Sequence, residues 1–259
     1  MKTRDLVAIA VYRLNLGVGT KEFVREIYDL AVESSPVSAS ILPLPLKPLR
    51  DFMSGRKSYG SYRRAVRNLT TKISAVVNSE RAYVGPVVVR YGGNTFLSVV
   101  EAASGSEISK KFIRYGGEFR GHVPRLPNVI IGNVSVCFLI LDDVFYPETA
   151  RYCAESGSSL LVSVLPPIAD LDPELAVAAA RVRAYENGVN VVLLGGYVKD
   201  RSIPTAIVRR DGSVVDIVNE ARSEVIEIQL AGESTARPCC ESMRRYFVKA
   251  IKMLNSSSV

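Results

Sequence analysis

Several residue types that build common functional sites are scarce in this chain of 259 residues. It contains no tryptophan, a single histidine, His122, and four cysteines, none in a Cys-x-x-Cys pair. Structural zinc sites take four Cys or His ligands at short spacings, so we expect no metal site and no cofactor. The adjacent Cys239 and Cys240 could form a redox-active disulfide. We favour the interpretation that both are reduced and lie at the start of a tail helix.

Long apolar runs are also missing. No stretch reaches the roughly 18 apolar residues that a membrane-spanning helix requires. The first five residues lead into a short apolar run that lacks the small-residue cleavage signature of a signal peptide. We therefore expect a cytoplasmic protein that makes no membrane contact.

Acidic residues are fewer than basic ones, 26 against 33, and the net charge is +7. The excess is concentrated between Arg50 and Lys72 and between Arg237 and Lys252. Such clusters can contact nucleic acid or an acidic partner, but most basic helix faces are simply solvated, and no aromatic stacking pattern accompanies these. We expect no nucleic-acid partner. The competing hypothesis, a protein that binds nucleic acid or an acidic surface, depends on one segment, the helix that contains Arg63, Arg64, Arg67 and Lys72.

What the chain does contain is 47% hydrophobic residues in short runs that alternate with amphipathic segments, a pattern typical of layered α/β domains. Strands are predicted at 6–12, 37–42, 82–89, 95–102, 134–141, 159–164, 189–194, 205–209, 214–218 and 225–230. Helices are predicted after an N-cap at Thr20 and at 59–78, 147–156 and 173–187. Three prolines, Pro43, Pro45 and Pro48, predict a loop after Leu42, because proline lacks the N–H that a sheet requires. We expect one domain over 1–232 and a basic helical tail over 233–259, packed on the domain or on a partner subunit.

Ordered segments along most of the chain resemble the nitrilase (carbon-nitrogen hydrolase) superfamily. They are Tyr83-Val84-Gly85-Pro86, Asn94-Thr95-Phe96, Ser104-Gly105-Ser106, Gly117-Glu118-Phe119 with Val123-Pro124, Arg181 to Asn187, and Arg210-Asp211-Gly212-Ser213. Each segment alone is weak, but their joint order is specific. The resemblance implies an α-β-β-α sandwich fold, a homodimer and a site built from cysteine, glutamate and lysine.

The segment Leu139-Ile140-Leu141-Asp142-Asp143-Val144-Phe145-Tyr146-Pro147-Glu148 resembles the family's nucleophile turn, in which Cys-Tyr-Asp precedes Phe-Pro-Glu. Alignment on the last three residues places Leu141 where the family has its cysteine. Asp143 falls on an aspartate of the motif, so Asp142 is the unusual acid. This pair and Tyr146 are candidate binding residues; a cation site or an aspartyl nucleophile at the pair is the less favoured alternative.

The resemblance places the family's lysine at Lys110, with Lys111 as the fallback, and a second, substrate-positioning glutamate at Glu118. The family's general base follows a proline at a strand end, where this chain has Pro43-Leu44; shifting to the next proline gives Leu46. Leu44 therefore replaces the glutamate. We expect a retained Lys110 to pair with Glu118 or Asp142, since a buried ammonium needs a counter-ion.

Other cysteines do not restore the nucleophile. Cys137 lies four residues before Leu141, about 13 Å away at the rise of a strand, and is expected to be core, as is Cys153 on the following helix. The sequence thus favours a pseudoenzyme that binds a small ligand or a partner. The alternative is an active carbon-nitrogen hydrolase with a non-standard nucleophile. The ligand is not indicated by the sequence.

Overall fold

The computed structural model describes residues 6–91, 94–112, 128–167 and 171–231, and within this part the chain forms a sandwich of two sheets between two layers of helices. The first half contains β1 (Leu6–Arg13), α1 (Thr20–Glu33), β2 (Val37–Pro43), α2 (Leu46–Met53), α3 (Tyr59–Val76), β3 (Ser79–Tyr91), β4 (Asn94–Glu101) and β5 (Glu107–Phe112). The second half contains β6 (Val129–Ile131), β7 (Val134–Ile140), a 3-10 helix (Leu141–Phe145), α4 (Pro147–Glu155), β8 (Leu160–Val164), α5 (Pro173–Asn187), β9 (Asn190–Leu194), β10 (Gly196–Val198), β11 (Arg201–Ile203), β12 (Thr205–Val208), β13 (Val214–Val218) and β14 (Glu224–Ala231).

Each large sheet has six strands. The first has the order β14-β1-β2-β3-β4-β5 and the second the order β13-β12-β9-β8-β7-β6. Three neighbouring strands in each sheet are parallel, β1-β2-β3 and β7-β8-β9, and helices connect them. The outer strands are antiparallel. This arrangement confirms the predicted α/β, α-β-β-α sandwich.

Three apolar layers result from the alternation of side chains on the strands. The central layer lies between the sheets and includes Ile41, Tyr83, Phe138 and Val162. The first outer layer joins the first sheet to α1 and α3, and the second outer layer joins the second sheet to α4 and α5. β7 and β8 are buried on both faces, and their residues are apolar except for Ser135 and Ser163.

The prediction of loop after Leu42 is wrong, because β2 continues through Pro43 and α2 begins at Leu46. Pro45 is the N-cap of α2, and Pro48 lies in its first turn. The N–H groups of a first helical turn have no intrahelical acceptor, so a proline there removes no helical hydrogen bond. Pro45 and Pro48 therefore belong to the start of a helix and not to a loop.

Smaller differences concern element ends. Gly19 and not Thr20 is the N-cap of α1, and Leu141 lies in the 3-10 helix, one residue past the end of β7. The short strands β6, β10 and β11 were not anticipated. The predicted tail at 233–259 lies outside the described residues. Within the described ranges, no helix is both long and apolar enough to cross a membrane.

Candidate functional site

The candidate site is the turn between β7 and α4. Leu141 follows the last strand residue and has a φ of 56°, in the left-handed region. A residue with a Cβ atom adopts this conformation at a cost on the order of 1–3 kcal/mol, because the Cβ crowds the following carbonyl oxygen. Strained strand-to-helix turns of this kind present the nucleophile in other hydrolase folds. Here the side chain at that position is a leucine.

Asp143 holds this turn from within. Its Oδ2 accepts a hydrogen bond of 2.9 Å from the backbone N–H of Ile140, and the side chain is buried. Its carbonyl oxygen accepts hydrogen bonds from Thr149 Oγ1 at 2.7 Å and from the N–H of Tyr146 at 3.1 Å. Asp143 therefore connects the strand end, the 3-10 helix and the first turn of α4.

Arg183 holds the turn from the neighbouring helix α5. Its Nε donates a hydrogen bond of 3.1 Å to the carbonyl oxygen of Val144, and its Nη1 pairs with Glu186. The guanidinium is almost fully buried. Sequence reasoning matched the segment that contains Arg183 to a family helix but gave this residue no role. An arginine on an otherwise alanine-rich, buried helix face was the signal that could have identified it.

Leu141 and Leu44 lie in different apolar layers. Leu141 is partly buried and packs against the central layer between the sheets. Leu44 is buried in the first outer layer, and its N–H donates to the carbonyl oxygen of Gly85 at 3.0 Å. The alternative position, Leu46, belongs to that same outer layer. Leu44 follows β2 of the first sheet and Leu141 follows β7 of the second sheet, and the two leucines do not pack in the same apolar cluster.

Lys110 and Lys111 both lie in β5, next to β4. By register Lys110 is opposite Ser98 and Lys111 is opposite Leu97, a member of the central layer. The side chains of the two lysines and all of Glu118 lie outside the described part of the chain. The predicted pairing of Lys110 with Glu118 or Asp142 therefore stays a prediction.

Asp142 and Asp143 do not form a paired acidic site. Asp142 is exposed, whereas Asp143 is buried and turned toward the N–H of Ile140. Tyr146 is 53% exposed at the start of α4. In the described ranges, no group of three or more His, Cys, Asp or Glu side chains is arranged to hold a metal ion.

Cys137 and Cys153 are both fully buried in the second outer layer, in agreement with the sequence-based expectation. They are also bonded to each other, with Cα atoms 5.9 Å apart, which sequence spacing could not reveal. The disulfide joins β7 to α4 and encloses the whole turn. Cys239 and Cys240 lie outside the described residues.

Comparison of whole structures places this sandwich among known folds. An amidase from Nesterenkonia sp. superposes with a TM-score of 0.65 and 14% identity over 93% of this chain and 96% of that chain. A double variant of that amidase in complex with acrylamide gives 0.67 and 15% over 95% and 99%, and a Cys-to-Ala variant in complex with butyramide gives 0.64 and 14% over 93% and 97%. No protein-family model and no curated protein matches the sequence. The chain therefore has the fold of nitrilase-superfamily amidases.

Proposed function

We propose that this protein has no carbon-nitrogen hydrolase activity and acts as a binding protein built on an amidase fold. One observation carries the proposal: the turn after β7 has the strained backbone of a nucleophile turn, but its side chain is Leu141. A leucine has no lone pair with which to attack a carbonyl carbon. Loss of the nucleophile from a hydrolytic site costs on the order of a millionfold in turnover.

Neighbouring groups do not replace the missing nucleophile. Cys137 and Cys153 are bonded to each other, so neither is a free thiol. The Asp143 carboxylate accepts a hydrogen bond from the N–H of Ile140, and the resemblance assigns the position of the general base to Leu44. Nucleophilic amide cleavage needs both an activated nucleophile and a base within hydrogen-bonding distance of it.

The conformation of the turn supports a retained binding role. A positive φ at a leucine persists only where the surroundings hold it in place, and here Asp143 and Arg183 do so. Leu141 packs against the central layer and makes the former reaction site more apolar. We propose that the site takes a small amide with an apolar substituent, the kind of ligand that the butyramide complex of the amidase variant contains.

The test is an assay of ammonia release from butyramide and acrylamide, combined with calorimetric titration of butyramide. We expect no release and saturable binding. A protein that releases ammonia, and loses this activity when a single cysteine is alkylated, is an active hydrolase with a non-standard nucleophile, which would overturn the proposal.

Within this proposal, the family's lysine is Lys110, as the resemblance assigns it, and Lys111, which lies opposite Leu97 of the central layer, is the competing candidate. A lysine near the ligand carbonyl would donate a hydrogen bond to its oxygen without any cleavage. Lys110→Ala is expected to abolish butyramide binding, and the adjacent Lys111→Ala, which removes the same charge from the same strand, is expected to leave it intact. The reverse result would assign the role to Lys111.

We also propose that two copies of the chain associate through the exposed side of α5. Leu175, Ala178, Val182 and Tyr185 are exposed at helical spacing on α5, with Leu175 53% and Val182 45% exposed. The opposite face of α5 packs in the second outer layer through Ala176, Ala180 and Ala184. A helix with apolar residues on both faces is typical of burial on both sides, and a second copy supplies the missing cover.

A further inference from the structure

Residues 34–79 carry an excess of positive charge as large as the net charge of the whole protein. Residues 34–79 contain eight of the 33 basic residues and one of the 26 acidic residues. The rest of the sequence has 25 of each and is neutral. A charge imbalance confined to one segment creates a local positive potential, which an even distribution of the same charges would not.

The structure places this charge on the surface formed by α2, the connection 54–58 and α3. Its members are exposed, and we call them the cationic face: Lys47, Arg50, Arg56, Lys57, Arg63, Arg64, Arg67 and Lys72. Asp51 is the one acid of the segment, and its Oδ2 lies 3.1 Å from Lys47 Nζ and 3.7 Å from Lys57 Nζ. These lysines hold the pKa of Asp51 below its ordinary value, mainly through the hydrogen bond from Lys47.

The remaining six cations form no such ion pair with a carboxylate of the described residues. Within the described ranges, no carboxylate lies within ion-pair distance of the five arginines of the face or of Lys72. On α1, by contrast, the exposed Arg25 is 3.8 Å from Asp29. The two outer helices of the first sheet therefore differ: α1 mixes both signs, whereas α3 contains four cations and no acid.

The residues between the cations indicate the kind of partner. The exposed side of α3 also carries Gly60, Ser61 and Asn68, which are small or are hydrogen-bond donors. Arginine, hydroxyl and amide side chains are the groups that contact phosphate oxygens in nucleic-acid complexes. The aromatic residues of the helix, Tyr59 and Tyr62, are turned inward. The hydroxyl oxygen of Tyr59 accepts a hydrogen bond from the backbone N–H of Arg90, and that of Tyr62 accepts one from the backbone N–H of Val88.

Two other polyanions fit less well. A single-stranded nucleic acid is held largely by stacking of its bases on aromatic side chains, and the exposed side of α3 has none. A helix that lies in an anionic membrane buries large apolar residues beneath its cations, and here the large apolar residues of α3 pack against the protein itself. The positions of Arg63 and Lys72 span roughly 13 Å of helix, about four base pairs of a duplex.

We propose that the cationic face binds the phosphate backbone of double-stranded nucleic acid, without preference for base sequence. The proposal is independent of the amide site, which lies at the end of β7 in the second sheet. It goes beyond the sequence-based expectation of a solvated surface, because all eight cations are exposed on consecutive elements, and six of them lie beyond ion-pair distance of any carboxylate in the described residues.

The experiment is a fluorescence-anisotropy titration of the full chain with two labelled duplexes of unrelated sequence, repeated at increasing salt. We expect equal affinity for both duplexes and a linear fall of log K with log salt. The variant Arg63→Gln/Arg64→Gln/Arg67→Gln is expected to bind about tenfold or more weakly and to lower the salt slope by about 2 to 3.

The matched control is Lys21→Gln/Arg25→Gln/Arg209→Gln, which removes the same charge from exposed positions elsewhere. It should bind duplex within about twofold of the unmodified protein. Three results would overturn the proposal: no binding at low salt, an equal loss of affinity in the control, or tighter binding to polyglutamate or to phosphatidylserine vesicles than to duplex. Circular dichroism of both variants establishes that α3 remains folded.

Discussion

At the residue scale, Leu141 combines the strained backbone of a nucleophile turn with a side chain that cannot react. We expect Leu141→Cys to be alkylated by iodoacetamide at least about tenfold faster than Val144→Cys, because Leu141 is partly exposed at the first position of the 3-10 helix, whereas Val144 is fully buried. Peptide mass mapping distinguishes either cysteine from Cys239 and Cys240. Equal rates would contradict the assignment of the turn. Neither variant should release ammonia from butyramide if, as proposed, Leu44 replaces the general base.

Glu26 provides a pH test at the same scale. Burial raises the pKa of Glu26 above its ordinary value, although its Oε1 accepts the N–H of Asn15 at 3.1 Å. The folded state therefore favours protonated Glu26, and this stabilisation is present below the ordinary pKa of glutamate and is lost as the pH rises through the raised one. We expect Glu26→Gln to unfold at a higher temperature than the unmodified protein near pH 8, but not near pH 3. The exposed Glu33→Gln on the same helix should show no such difference; a stabilisation of Glu26→Gln that is independent of pH would contradict the argument.

At the element scale, the Cys137–Cys153 disulfide connects β7 to α4 across a sequence separation of 16 residues. Closing a loop of this length stabilises a fold by about 3 kcal/mol in the chain-entropy description. We expect Cys153→Ala to lose about this much free energy of unfolding in denaturant titrations. Reduction of the unmodified protein should have a similar effect and should not further destabilise the variant. If reduction leaves the stability unchanged, the two cysteines are not bonded in solution.

Elements whose apolar residues recur at regular spacing were predicted from the sequence. Elements that place a residue type in an unusual position or conformation were not. The apolar spacing of α3 and the proline-started, glycine-ended α5 identified both helices. The helix α2 was missed because its prolines occupy the few helical positions where proline is tolerated. The positive φ of Leu141 was also missed, since nothing local distinguishes a leucine in that conformation.

At the scale of the whole molecule, the exposed apolar stripe on α5 predicts a dimer. Val182→Glu should convert the protein to a monomer in sedimentation velocity at tens of micromolar, because a buried carboxylate without a partner is costly. Val32→Glu is the matched control, an exposed valine on α1 of the other helical layer. It should leave the dimer intact. A monomeric unmodified protein at this concentration would contradict the proposal.

The sequence by itself determined the layered α/β class and the absence of a cysteine at Leu141, because periodicity and residue identity are local properties. Only the tertiary structure decided which residues that are distant in sequence contact each other. Arg13, fully buried at the end of β1, donates from Nε and Nη2 to the carbonyl oxygen of Glu220 at 3.1 and 3.0 Å, a contact across 207 positions of sequence. Cys137 with Cys153 and Arg183 with Val144 are similar cases. Such contacts depend on how the sheets and helices stack, and no local pattern specifies which buried polar groups will meet.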